Sequence, residues 1–279
     1  MAAAGSDEER ALAAYNLFQV HLRELNFDKA LNHYSTALEL EPQTYALHQH
    51  SKYPIERVLG AGGMGCAFLC RDRLRGRVVV KAFWEGRKGP VDEVFAEVLT
   101  MARIAAQQVP EPLDYGYVDP NRQERPYIVM QYVENAIDGE DFIAEHGPLN
   151  LDDGLAVGIE IATGLELAHE SGVSHLDLKP ANVLLKRKDD KIDVKIIDFG
   201  LARVANSLKQ EATANSRTGK SMMAQEIFGT LDYAPPEQMG IGSYGKPGPQ
   251  SDVFSFGATL YRMMTGKSPR ALNPRALRE

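Results

Sequence analysis

The segments His175–Asn182, which reads HLDLKPAN, and Asp198–Gly200, which reads DFG, decide the fold of this chain. They bring two aspartates, a lysine and an asparagine together within a short stretch of sequence. Phosphoryl transfer to a hydroxyl can use such a set of residues. One carboxylate accepts or orients the hydroxyl proton, a cation offsets charge on the phosphate, and an amide oxygen and a second carboxylate hold magnesium. The two segments therefore indicate a site for phosphoryl-transfer chemistry.

These segments resemble the catalytic loop and the magnesium-binding turn of eukaryotic-type protein kinases, in a bacterial-like variant. The resemblance implies that Asp177 is the catalytic aspartate, that Lys179 stabilises the transferred phosphate, and that ATP is the phosphate donor. It also implies that Asn182 and Asp198 hold Mg²⁺ or Mn²⁺. Lys179 and Thr230 are similar to the residues of serine/threonine kinases rather than tyrosine kinases.

A glycine-rich segment, Gly60–Gly65 (GAGGMG), follows the strand-like run Tyr53–Leu59. A G-x-G-x-x-G string also fits a dinucleotide-binding turn, which needs a helix next and an acidic residue about 20 positions on. Here the strand-like run Cys66–Arg71 follows, and Lys81 stands near the position of that acid. Both features favour the glycine-rich loop of a kinase, in which the backbone lies close over the phosphates.

The resemblance implies that further nucleotide contacts come from the third strand, the fifth strand with its hinge, and the floor of the adenine pocket. Ala67 stands where the family usually has valine above the adenine, which predicts a thinner wall. The nucleotide-binding residues implied are Gly60, Gly62, Gly63, Gly65, Ala67, Lys81, Met130, Tyr132, Val133 and Leu184.

Three valines precede Lys81, which favours a buried strand with a lysine at its end, and a buried lysine needs a partner. Apolar residues at helical spacing over Val91–Ile104 predict the family's αC helix. Glu97 matches the family's glutamate partner of the lysine, and Glu93, one turn earlier, is the alternative.

A longer helix is predicted after Asn150, which can cap it, and Gly172 can end it. Its apolar positions are Leu151, Leu155, Ile159, Ala162, Leu165 and Ala168. By resemblance, Ser251 begins the family's αF helix, and Asp252 is a structural residue that ties down the backbone of the catalytic loop.

The resemblance covers residues 53 to about 268 and implies an α+β, two-lobed protein kinase fold preceded by a helical hairpin. We expect the hairpin over residues 1–50 and the kinase domain over 53–279. The N-lobe, 53–130, holds an antiparallel sheet and αC, and the C-lobe, 131–279, is mostly helical. Because the chain ends soon after αF, we expect a C-lobe truncated after that helix.

The catalytic loop departs from the family at Leu176, where an arginine usually stands. That arginine normally receives a phosphate on the activation segment and performs no chemistry. The departure therefore predicts an activity that does not depend on phosphorylation of that segment. Lys195 and Arg203 are the cations that could replace it.

The N-terminal stretch, residues 11–44, has the length of one tetratricopeptide repeat, and its pattern fits the second half of the repeat better than the first. A single repeat cannot bury its own apolar face. The alternatives are therefore a repeat-like hairpin that binds a protein partner and an amphipathic helix pair packed on the kinase lobe.

Composition is that of a globular enzyme, with 44% hydrophobic and 25% charged residues among 279. The net charge of −7 argues against a nucleic-acid surface, and we expect no membrane span. The two cysteines, Cys66 and Cys70, fit neither a zinc site nor a disulfide framework, which predicts a cytoplasmic location.

The leading prediction is an active serine/threonine kinase that acts on protein substrates. A nucleotide-binding pseudokinase or scaffold is the alternative, because of Leu176 and the short C-terminal region. A third possibility is an interaction module that works through the N-terminal helices. All six catalytic positions of the family are present: Lys81, Glu97, Asp177, Lys179, Asn182 and Asp198.

Overall fold

A computed structural model of the chain describes residues 6–62, 65–84, 94–95, 98–99, 102, 107–189, 191–199, 232–239 and 245–269. The chain divides into two compact units. Unit 1 is Met1–Ala96 with Pro112–Tyr132, and unit 2 is Glu97–Glu111 with Val133–Glu279.

Unit 1 begins with three helices: α1 (Asp7–Arg23), α2 (Phe27–Leu40) and the short α3 (Pro42–Tyr45). A capping box starts α1, in which the Glu9 N–H donates to Ser6 Oγ and the Ser6 N–H donates to Glu9 Oε2. The Asn26 side chain caps α2. The expected N-terminal helical hairpin is present, and its tetratricopeptide character stays a prediction.

The rest of unit 1 is an antiparallel sheet of the order β1-β2-β3-β5-β4, as far as the described residues go. Its strands are β1 (Ile55–Ala61), β2 (Gly65–Asp72), β3 (Gly76–Phe83), β4 (Pro112–Asp119) and β5 (Glu124–Gln131). In the central register Phe68 pairs with Val80 and Ala67 pairs with Lys81. Since side chains alternate along a strand, these two pairs point to opposite faces of the sheet.

The helices α1 and α2 cover one of those faces. Phe68 and Val80 are fully buried in a cluster that also contains Phe18, Leu22 and Tyr34 from the helices. The apolar face of the hairpin is therefore buried against the sheet of its own unit.

Unit 2 contains β6 (Ile137–Asp138), α4 (Gly139–His146), α5 (Leu151–Glu170), a 3₁₀ turn (Pro180–Asn182), β7 (Val183–Lys188), β8 (Lys191–Ile196) and α6 (Pro249–Thr265). Strands β6, β7 and β8 form a small antiparallel sheet within the described residues. The predicted cap of α5 is confirmed, because the Asp153 N–H donates to Asn150 Oδ1 over 2.9 Å. After the helix, Gly172 takes a φ of +77°, the left-handed conformation that suits glycine.

The apolar positions predicted for α5 are partly buried and partly exposed. Leu165 and Ala168 are buried, whereas Leu151, Leu155 and Ile159 are exposed and Val157 and Ile161 are fully buried. The reason is the glycines of this helix, which bring α6 close. A Cβ at position 154 would lie 2.9 Å from Met264, and one at 158 would lie 3.2 Å from Leu260.

No helix among the described residues is both long enough and apolar enough to cross a membrane.

Candidate active site

The catalytic loop of unit 2 holds Asp177 in a small polar cluster. Lys179 Nζ donates to Asp177 Oδ2 over 3.0 Å, and Asn182 Nδ2 donates to the same oxygen over 3.2 Å. Asn182 Nδ2 also donates to the main-chain carbonyl of Asp177 over 2.7 Å. The other carboxylate oxygen, Asp177 Oδ1, is buried and has no hydrogen-bond partner among the described residues. One oxygen of Asp177 is thus held, and the other can accept a proton.

Asp252, at the start of α6, anchors the backbone of this loop. Its Oδ1 accepts the Leu176 N–H over 2.7 Å, and its Oδ2 accepts the His175 N–H over 2.8 Å. His169 Nε2, on α5, lies 2.7 Å from the same Oδ2. Asp252 is fully buried, so these partners replace the water that a carboxylate requires. Asp252 was expected to tie down the backbone of the catalytic loop, and these hydrogen bonds do so.

Leu176 is held with a φ of +60°, a conformation that is costly for a non-glycine residue. Its N–H donates to Asp252, and its carbonyl accepts from Gln238 Nε2 over 2.7 Å. The Leu176 side chain is buried. At Leu176, where the family usually has an arginine, the backbone of the loop is therefore held by two residues. Asp252 binds its N–H, and Gln238 binds its carbonyl.

His175 connects the catalytic loop to the DFG segment. Its Nε2 lies 2.9 Å from the carbonyl of Ile197, and its ring packs on Phe199 with centroids 4.8 Å apart. The next residue along the chain from Ile197, Asp198, has a φ of +66°, which aspartate tolerates better than most residues. These contacts place Asp198 beside the loop that carries Asp177 and Asn182.

The glycine-rich loop belongs to unit 1. The Gly62 N–H donates to the Gly65 carbonyl over 2.9 Å, and the Gly65 N–H donates to the Gly62 carbonyl over 3.2 Å. A Cβ at position 65 would lie 2.0 Å from the carbonyl oxygen of Ala82. Only glycine can bring β2 this close to β3. At Gly60, by contrast, a Cβ would meet nothing within 4 Å.

The remaining nucleotide-binding candidates of unit 1 lie on its strands and at the end of β5. Lys81 is buried on β3 and pairs with Ala67 on one side and Ile128 on the other. Met130 lies on β5 opposite Val79. Tyr132 follows β5, and its hydroxyl accepts from Arg57 Nη2 over 3.2 Å.

Two candidates belong to unit 2. Leu184 lies on β7 and pairs with Lys195 on one side and Asp138 on the other. The carbonyl of Val133 accepts the Ala136 N–H at 3.4 Å.

Lys195, considered as a replacement for the missing arginine, donates to the carbonyl of Val109 over 3.2 Å. Burial lowers the pKa of its ammonium group, which makes it a weaker candidate for a phosphate site.

Several candidate positions lie outside the described residues. These are Gly63 of the glycine-rich loop, Glu97 and its alternative Glu93, and Arg203 and Thr230 further along the chain. Their roles stay predictions.

The sequence reasoning missed three residues that support the site. His169 binds Asp252, Gln238 binds the loop at Leu176, and Trp84 Nε1 donates to the Gly62 carbonyl over 2.6 Å. His169 and Gln238 bind partners 62 or more positions away, and Trp84 binds one 22 positions away. Local spacing carries no signal for contacts of that range.

Comparison with known families finds that the protein kinase domain matches residues 53–276. A probable serine/threonine-protein kinase PknB of Corynebacterium glutamicum is 30% identical over 223 residues, which are 78% of this chain and 32% of that protein. The serine/threonine-protein kinase PknB of Mycobacterium leprae is 30% identical over 229 residues, 80% of this chain and 34% of that protein. The chain thus spans about a third of the length of these relatives.

Among solved structures, the crystal structure of Rad53 1-466 in complex with AMP-PNP is similar in fold, with a TM-score of 0.58 and 26% identity. The match covers 84% of this chain and 53% of the other.

Proposed function

The chain belongs to the protein kinase family, and from this premise we propose that it is a serine/threonine protein kinase. It transfers the γ-phosphate of ATP to serine or threonine hydroxyls of proteins. The serine/threonine-protein kinases that it resembles support the class of acceptor. The similar structure in complex with AMP-PNP, an ATP analogue, supports the donor.

One observation carries the proposal, the asymmetry of the Asp177 carboxylate. Oδ2 is fixed by Lys179 and Asn182, while Oδ1 is buried and has no partner among the described residues. A buried acceptor left without a donor costs about 1–3 kcal/mol. A substrate hydroxyl that donates a hydrogen bond to Oδ1 removes this cost. The hydroxyl proton is then directed at the carboxylate that acts as the base. Lys179 next to this base supplies positive charge for the transferred phosphate.

The nucleotide-binding roles that we propose are those implied by the kinase family. In unit 1 this implies that the backbone of the glycine-rich loop and Lys81 bind the phosphates and that Ala67, Met130 and Tyr132 contact the base. In unit 2 it implies a contact with the base for Val133 and Leu184. Glu97 pairs with Lys81 in this assignment.

Mg²⁺ or Mn²⁺ fits the donors that unit 2 offers. The amide nitrogen of Asn182 is already engaged with Asp177, so its oxygen is the atom that can serve as a ligand. Asp198 adds a carboxylate, and hard oxygen donors of this kind suit Mg²⁺. When bound, the ion neutralises charge on the phosphates. Excess EDTA should therefore abolish transfer and added Mg²⁺ or Mn²⁺ should restore it. Full activity in EDTA would remove the metal from the proposal.

Two further assignments complete the proposal. Cys66 and Cys70 are free, buried thiols, and burial raises the pKa of both, for Cys70 to about 12. Inert thiols of this kind suit a reducing cytoplasm. The exposed side chains Leu12 and Leu25 of the N-terminal helices support a protein partner there.

The test compares Asp177→Asn with Asp152→Asn, a control at an exposed position on α5. Transfer of radiolabelled γ-phosphate from ATP to casein should fall at least about 100-fold in the first variant and stay unchanged in the control. AMP-PNP affinity, measured by calorimetry, should be nearly equal in all three proteins. Substantial transfer by Asp177→Asn would refute the role of Asp177. AMP-PNP binding without transfer by the unmodified chain would instead favour the pseudokinase.

A further inference from the structure

The N-terminal helices lie outside the region that matches the kinase family, which begins at residue 53. They nevertheless share a core with the sheet that carries the glycine-rich loop. The Tyr34 ring stacks on Phe68 of β2 with centroids 5.5 Å apart. Phe68 points to the face of the sheet opposite Ala67 and Lys81, because side chains alternate along a strand. The helices therefore cover the back of the sheet and leave the nucleotide face to the loop.

Polar contacts hold the N-terminal segment together and fix it to the sheet. Within the segment, the Tyr34 hydroxyl accepts the Leu47 N–H over 2.9 Å and donates to the carbonyl of Tyr45 over 3.3 Å. Arg125, at the start of β5, donates over 2.8–2.9 Å to three carbonyls at the end of α3, those of Gln43, Thr44 and Ala46. Hydrogen bonds from a charged donor are stronger than those between neutral groups. This connection makes the position of the helices relative to the sheet well defined.

Trp84 links this layer to the glycine-rich loop. It follows directly after β3, and its Nε1–H donates to the Gly62 carbonyl over 2.6 Å. The same carbonyl accepts the Gly65 N–H over 3.2 Å, so both donors fix the turn of the loop. The Trp84 ring meets Phe18 of α1 edge-on, with centroids 6.3 Å apart and planes at 63°. Phe18 is fully buried and stacks on Tyr34 at 4.6 Å.

We propose that the N-terminal helical pair is a positioning element for the glycine-rich loop, acting through Phe18 and Trp84 on the carbonyl of Gly62. Phe18, packed on Tyr34, holds the indole where its N–H meets that carbonyl. Displacement of Phe18 lets the indole move and loosens the turn that receives the phosphates. The expected effect of these contacts on nucleotide affinity rests on the proposed kinase function. Their expected effect on how well the glycine-rich loop is ordered does not.

The first experiment needs no nucleotide. Hydrogen exchange is measured on peptides that cover residues 58–68 in the full chain, for Trp84→Phe, Phe18→Leu and Leu22→Ala. Trp84→Phe keeps an aromatic ring but loses the N–H donor, and Phe18→Leu keeps an apolar side chain but loses the ring. Leu22→Ala is the matched control, since Leu22 lies one turn further along α1 and is equally buried. We expect exchange at least threefold faster in the first two variants and unchanged in the control.

The second experiment measures affinity and turnover. For Trp84→Phe and Phe18→Leu, the dissociation constant of AMP-PNP with Mg²⁺ and the KM for ATP should rise about fivefold, with kcat within twofold. Leu22→Ala should lower the melting temperature and leave the KM for ATP unchanged. Trp84 is the one tryptophan in the sequence, so its emission spectrum should change in Phe18→Leu and not in Leu22→Ala. The double variant should be no worse than the poorer single variant, because both act on one contact chain.

The outcomes separate the inference from the proposed function. If the unmodified chain binds AMP-PNP but transfers no phosphate, the kinase assignment fails, and exchange and affinity still decide the role of Trp84. If it binds no AMP-PNP, exchange alone decides. The inference is overturned if Trp84→Phe leaves exchange of the loop within twofold of the unmodified chain. It is also overturned if Leu22→Ala loosens the loop as much as Phe18→Leu does.

Discussion

The catalytic loop of unit 2 and the glycine-rich loop of unit 1 are held in different ways. In unit 2 the catalytic loop is fixed by a buried carboxylate, Asp252, with two backbone N–H groups and His169 as its partners. In unit 1 the Gly62 carbonyl of the glycine-rich loop accepts the Gly65 N–H and the Trp84 indole N–H, and the indole packs on Phe18. A buried charge permits few alternatives, because losing one partner leaves an uncompensated group. Aromatic contacts can weaken in small steps when a ring shifts. Such contacts suit a loop that has to admit a nucleotide.

The largest effect should come from breaking the charged anchor. Asp252→Asn keeps the shape but removes the charge and turns one acceptor into a donor that faces a backbone N–H. We expect a loss of about 3–5 kcal/mol in the free energy of unfolding and a fall in kcat of at least 100-fold. Urea unfolding and a phosphate-transfer assay measure both. The control, Val253→Ala, alters an exposed neighbour on α6. Near-normal kcat in Asp252→Asn would show that the catalytic loop does not depend on this anchor.

A smaller effect is expected within the glycine-rich loop. A methyl group at position 65 would collide with the Ala82 carbonyl, whereas one at position 60 meets open space. Gly65→Ala should cost about 1–3 kcal/mol of stability, as overpacking does, and should raise the KM for ATP. Gly60→Ala should leave stability nearly unchanged. Equal melting temperatures for the two variants would contradict the close β2–β3 approach.

The smallest effect concerns acid pH. Burial lowers the pKa of His48 in unit 1 to about 4, and its ring lies 3.0 Å from the Tyr53 carbonyl and 3.7 Å from Cys70 Sγ. Above pH 6.5 the imidazole is neutral in the folded and unfolded states and makes no pH-dependent contribution. As pH falls below 6.5, only the unfolded chain binds the proton. The free energy of unfolding then decreases by up to about 1.4 kcal/mol per pH unit until pH approaches 4.

His48→Asn should therefore flatten the pH dependence of unfolding between pH 6.5 and 5.5, while the control His146→Asn, at an exposed site in unit 2, should not. Urea titrations at each pH measure the slope. An unchanged slope in His48→Asn would show that His48 is protonated in the folded protein. The buried polar group of unit 1 at this place is an imidazole, whereas the one that anchors the catalytic loop of unit 2 is a carboxylate.

The motifs predicted the family, which is confirmed by the match over residues 53–276, and the two-lobed fold, which is confirmed by the similar kinase structure. The cluster of Asp177, Lys179 and Asn182 was also predictable, because these residues lie within six positions of one another. A short loop places such neighbours together whatever surrounds it. The individual roles of the site residues stay predictions.

Helix α5 shows where sequence patterns stop being sufficient. Its cap at Asn150 was predicted, since capping depends on residues three positions apart. Of its apolar positions, Leu165 and Ala168 are buried, whereas Leu151, Leu155 and Ile159 are exposed. Glycine carries no apolar signal, yet Gly154 and Gly158 let α6 approach, and that approach determines which face is buried.

The family and the cluster of the catalytic loop could be read from the sequence, because the motifs are contiguous segments and bring their own residues close together. How these segments are supported depends on the tertiary structure. Asp252 binds the catalytic loop from 76 and 77 positions away, and Tyr34 of α2 packs on Phe68 of β2. Such contacts depend on which surfaces the folded chain brings together. Whether a charge or a ring is buried there depends on all the residues that pack around it.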